Sequence, residues 1–70
     1  MVEYYGRLIC KSGAVISTSP RFGTREETNY WVSNEIKNTK LSIAHVEIHM
    51  DEFNDDDLLV LQQVEYFYEW

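Results

Sequence analysis

Between Leu41 and Met50 the residue types alternate with a period of two. Ala44, Val46, Ile48 and Met50 would share one face of a strand, and His45, Glu47 and His49 the other, with Leu41 and Ile43 starting that second face apolar. A strand with one apolar and one polar face needs neighbours to pair with and a single layer to cover it. The rest of the chain supplies both. Val2 to Cys10 alternates in the same way, with Val2, Tyr4, Leu8 and Cys10 on one face and Glu3, Tyr5, Arg7 and Ile9 on the other. Lys11-Ser12-Gly13 is a turn signal, Gly13 offering the positive φ of a short hairpin loop. Ala14 to Ser19 then reads as a return strand that Pro20 stops.

Gly23-Thr24 opens a helix. Thr24 is a good N-cap and Glu27 completes a T-x-x-E capping box, with Glu26 and Glu27 in the first turn and Lys37 and Lys40 near the end, as the helix dipole favours. Thr28, Trp31, Val32, Glu35, Ile36 and Thr39 fall on one side of the wheel, which leaves Tyr30, Asn34 and Lys37 facing water. Asp51 to Asp57 (DEFNDDD) reads as a loop. Leu58 to Trp70 reads as a strand that matches Leu41–Met50 across that loop, the alternative being a helix over residues 55–69. The expected fold class is therefore α+β: a single domain over residues 1–70, ordered β-β-α-β-β, with one helix packed on one face of an antiparallel sheet.

Residues 5–36, above all Ser12-Gly13-Ala14-Val15-Ile16-Ser17-Thr18-Ser19 and Phe22-x-Thr24, resemble the short ββα unit of some small bacterial proteins. Those proteins usually carry the unit twice, and one copy is visible here. The resemblance implies a hairpin followed by a capped helix and no particular activity.

Seventy residues are too few to build a second core. Cys10 is the only cysteine, so no internal disulfide can form, a four-cysteine zinc site is excluded, and the lone thiol suits a reducing compartment. No basic n-region precedes an apolar run, and the longest such run, Leu58 to Leu61, is far short of the ~20 residues that span a bilayer. A cytoplasmic location, away from membranes, is expected. Ten aromatic residues (14%) supplement the core, and each can bury roughly 150–250 Å². Some of that area is expected to remain for a partner.

Charge is polarised. Residues through Lys40 carry all six Lys and Arg and balance at +2, whereas Glu47, Asp51, Glu52, Asp55, Asp56, Asp57, Glu65 and Glu69 give −8 after it. Without a basic stripe, direct binding to nucleic acid or an anionic membrane is disfavoured and docking on a basic protein surface is favoured. The expected partner-binding residues are these eight acids together with Tyr66, Tyr68 and Trp70.

Catalytic constellations are sparse. His45-x-Glu47-x-His49 is the only metal-like spacing, yet the two histidines lie about 13 Å apart along a strand and a third ligand is lacking. Asp51–Asp57 lacks the glycine and alternating oxygens of a calcium loop. Cys10 is expected on the core face without a base, and the serines sit in no strained elbow. The expectation is a binder with no cofactor rather than an enzyme. In its strongest form it mimics nucleic-acid phosphate and blocks a nucleic-acid-handling enzyme, the sort of inhibitor a phage or mobile element encodes. The alternatives are a homodimer or assembly component that pairs edge strands or aromatic faces, and a metal-binding protein using His45, Glu47 and His49.

Overall fold

A computed structural model describes residues 1–70. The elements are β1 (Val2–Cys10), β2 (Val15–Thr18), α1 (Arg25–Asn38), β3 (Ile43–Phe53) and β4 (Leu59–Phe67). The strands form one antiparallel sheet in the order β2-β1-β3-β4. The β-β-α-β-β order read from the sequence is the order found.

Both hairpins turn in the same way. In the first, the Cys10 N–H donates to the Ala14 carbonyl (2.9 Å) and the Gly13 N–H to the Cys10 carbonyl (2.9 Å), with Gly13 at φ +89°. In the second, the Asn54 N–H donates to Leu58 (2.9 Å) and the Asp57 N–H to Asn54 (3.0 Å), with Asp57 at φ 61°. Asn54 Oδ1 also accepts from the N–H groups of Asp56 (2.9 Å) and Leu58 (3.1 Å). That side chain fixes the turn, and the segment after it pairs with β3 from Leu59 to Phe67. The helical alternative for 55–69 is thereby excluded.

The acidic loop is shorter than its composition suggests. Asp51, Glu52 and Phe53 belong to β3, because the start of β1 reaches far enough to pair with them: Glu3 lies opposite Asp51 and Val2 opposite Glu52. The Met1 carbonyl accepts from the Phe53 N–H at 2.7 Å. Cross-strand partners here outweigh the loop preference of acidic side chains.

Thr24 caps α1 as read, its Oγ1 accepting from the Glu27 N–H (3.2 Å) and donating to Glu27 Oε1 (2.9 Å). The helix lies across β1 and part of β3 and leaves β4 clear of its backbone. Leu8, Val32, Val46 and Ile48 are the buried apolar centre, with Ile16, Trp31, Ile36, Ile43 and Phe67 packed around them. Thr28 is also buried, its hydroxyl donating to the Thr24 carbonyl (3.2 Å). Gly6 sets how closely α1 approaches, since a Cβ there would stand 2.6 Å from Val32 Cγ2. Four buried aliphatic side chains at about 1.5–3 kcal/mol each make a small core. The polar network on the sheet's other face therefore matters to stability.

Candidate functional site

Strand register lines up polar side chains in rows across the face of the sheet that α1 does not cover. Glu3, Asp51 and Gln62 form one row, Tyr5, His49 and Val64 the next, and Arg7, Glu47 and Tyr66 a third. Glu47 is the hub. His49 Nε2 donates to its Oε1 (2.8 Å), His45 Nε2 to its Oε2 (3.3 Å), and Arg7 lies 3.6 Å away. Burial pushes the Glu47 carboxyl up, but the hydrogen bonds from His49 and His45 and the charges of His49 and Arg7 outweigh it, holding its pKa below the ordinary range. Tyr5 stacks on His49 with centroids 4.5 Å apart, and the Arg21 guanidinium covers the other side of Tyr5 at 4.7 Å. Arg21 also reaches Asp51 (2.7 Å) and Glu3 (3.4 Å), and its own pKa is raised, mainly by the Asp51 hydrogen bond.

Several residues expected to meet a partner are therefore occupied within the fold. Asp51 is 3% exposed and held by Arg21, Glu47 is held by both histidines and Arg7, and Glu65 is gripped by Arg25 through both carboxylate oxygens (2.6 and 3.0 Å). All three arginines come from the basic half of the sequence, so chain polarity is partly cancelled in space. Asp55, Asp56 and Asp57 remain exposed at the hairpin tip, and Glu69 lies beyond the far end of β4. Nine strand residues place these groups roughly 30 Å apart. Tyr66 and Tyr68 flank His45, with centroids 5.8 and 5.4 Å away, and are exposed. Trp70 instead turns to α1, where its Nε1 donates to Ser33 Oγ (2.9 Å) and its ring meets Phe67 edge-on at 5.5 Å. The eleven residues do not form one surface.

His45 and His49 bind different oxygens of one carboxylate, and no three His, Cys, Asp or Glu side chains stand close enough to hold a metal ion. Cys10 is half-buried at the end of β1 rather than within the core. Its Sγ lies 2.9 Å from Ser12 Oγ, and that hydrogen bond lowers the thiol pKa.

A site missed in the sequence lies along one flank of α1. A cleft of about 480 Å³ is bounded by Glu26, Glu27, Tyr30, Trp31, Asn34 and Glu35, with Phe22 closing it. Phe22 is positioned by a two-way backbone pairing with Tyr4 (2.7 and 2.8 Å). Three carboxylates and three aromatic rings line the cleft, and no Lys or Arg does. Ser17 donates to Glu35 at 3.0 Å and Thr24 to Glu27, which steadies two of the carboxylates while their second oxygens stay free. The signal was present as adjacent pairs repeating every four residues, Glu26-Glu27, Tyr30-Trp31 and Asn34-Glu35, which stack along a helix. The Phe22 wall comes only from folding.

β4 is the other conspicuous feature. Every residue from Leu59 to Tyr66 is exposed, and its outer edge has no partner strand. No helix in the protein is long and apolar enough to cross a membrane. Compared with family models, curated proteins and solved structures, the chain matches none.

Proposed function

We propose that this protein is a binding module, not an enzyme, which docks on a basic surface of a larger protein and modulates it, with the α1 cleft receiving cationic side chains. The cleft carries this reading. An Arg or Lys entering it would meet carboxylate oxygens and the faces of Tyr30, Trp31 and Phe22, so that cation–π attraction adds to charge pairing. Tyr30, 74% exposed, contributes little to the core and is free to serve as a contact residue. The protein's net charge of −6 would speed encounter with a basic partner. Imitation of nucleic-acid phosphate has less to stand on, because Glu47, Asp51 and Glu65 are already paired with arginines.

Fluorescence anisotropy with a labelled arginine-rich peptide tests this directly. Binding should weaken steeply from low to high salt. Tyr30→Ala and Glu26→Gln should each reduce affinity several-fold to roughly tenfold, about 1–1.4 kcal/mol. Replacing Asp55, Asp56 and Asp57 by Asn should cost less than either. Equal loss from the tip variant and none from the cleft variants would move the docking surface to the hairpin tip and sink this reading.

A further inference from the structure

We propose that two copies of this chain pair through β4, antiparallel about a two-fold axis near Gln63, to make one continuous eight-stranded sheet. The two edges of the sheet are unlike. One edge is β2, only four residues long and followed by Pro20, and beyond it Ser19 and Phe22 continue its line against Gly6 and Tyr4 of β1. Outside β4 nothing pairs, along nine residues. Such a strand presents a row of free N–H and C=O groups, and proteins that remain monomeric blunt these edges with lysine, proline, bulges or a covering helix. From Leu59 to Phe67 there is no Lys, Pro or Gly, α1 lies over β1 and β3, and the one irregularity in the pairing of β4 falls at its start, where Leu61 faces Glu52 and Leu59 faces Phe53. Leu59, Val60, Leu61, Val64 and Tyr66 are all exposed.

Charge selects both the occupant and its direction. The single charged residue of β4, Glu65, is neutralised by Arg25, so the strand holds no free carboxylate to draw in a basic segment. An uncharged, β-forming strand is the matching occupant, and β4 is itself one. Parallel pairing would set two Asp55-Asp56-Asp57 tips side by side. Antiparallel pairing sends them to opposite ends, separated by roughly the 30 Å strand length and thus by several Debye lengths of about 8 Å. With Gln63 on the axis, Leu61 of one copy lies opposite Glu65 of the other and Gln62 opposite Val64, so no like charges face each other. A contact this narrow sits at the small end of specific interfaces, so association is expected at roughly micromolar to submillimolar concentration.

Light scattering and sedimentation from about 1 μM to about 1 mM should show the mass rising from 8.3 kDa towards twice that value. Val60→Lys, at a position 55% exposed, should shift dimerisation at least tenfold to higher concentration while leaving the monomer's circular dichroism unchanged. Hydrogen exchange on the unaltered chain reads the same contact without a substitution, and β4 amides should gain protection only at high concentration. A strict monomer at 1 mM, or a dimer that survives Val60→Lys with β4 amides still exchanging freely, overturns the proposal. Failure here is distinct from failure of cleft binding, because Tyr30→Ala should leave the dimer intact.

Discussion

Gly6 and Glu47 show how much rests on single residues in a domain whose buried apolar cluster is only four side chains. At Gly6 the helix comes so close that a methyl group would meet Val32 Cγ2 at 2.6 Å and Thr28 Cγ2 at 3.3 Å. Val32 is fully buried, so it cannot swing aside. Gly6→Ala should destabilise the fold by about 1–3 kcal/mol, the usual cost of overpacking, which urea denaturation would measure. Glu47 is 15% exposed and is the acceptor for both histidines on the open face. Its folded-state pKa is depressed, so its contribution is complete at neutral pH and is lost as pH falls through the ordinary carboxylate range and below. At pH 7, Glu47→Gln should cost about 1.5–3 kcal/mol, the worth of hydrogen bonds to a charged group. That gap in Tm should close as pH falls through and then below the ordinary carboxylate range, as the native carboxylate itself becomes protonated. A gap that stays constant across this range would show that Glu47 acts by shape rather than charge.

The two hairpins make a controlled comparison at the scale of elements. They share one hydrogen-bond pattern and one left-handed residue at the same place, yet Gly13 fills it in the first and Asp57 in the second. A side chain in that region of backbone space is strained, and glycine is not. Asp57→Gly should therefore stabilise the protein by up to about 1 kcal/mol, less a few tenths for the added freedom of the unfolded chain. A thermal melt would reveal the gain, and a loss would mean that the aspartate side chain supports the turn. The same comparison explains what was legible in the sequence. Turn residues and alternation located both hairpins, and the capping box located α1. Legibility stopped at Asp51 to Phe53, where three polar or aromatic residues read as loop but are carried into β3 by pairing with Met1, Val2 and Glu3.

For the whole molecule the main question is where charge lies once the chain is folded. Arg7, Arg21 and Arg25 cross from the basic half to meet Glu47, Asp51 and Glu65. The remaining acids then lie mainly at the hairpin tip and along the cleft flank of α1, with Glu69 beyond the far end of β4. The two proposed contacts answer to different forces for that reason. Cleft binding should fall with added salt, while self-association through an uncharged edge strand should change little or strengthen as the −6 net charge is screened.

Local signals in the sequence determined the elements and the faces. The period of two sorted Val46 and Ile48 from His45, Glu47 and His49, and Thr24 with Glu27 marked the start of α1, because side-chain direction in a strand and capping at a helix end depend on near neighbours. Only the tertiary structure decided which side chains are spent. Whether Asp51 is a docking acid or a buried partner of Arg21, 30 positions away, depends on contacts that no local pattern encodes. The strand order is of the same kind: it puts β1 and β3 under the helix and leaves β4 at an open edge, because one 14-residue helix covers only part of a four-stranded sheet.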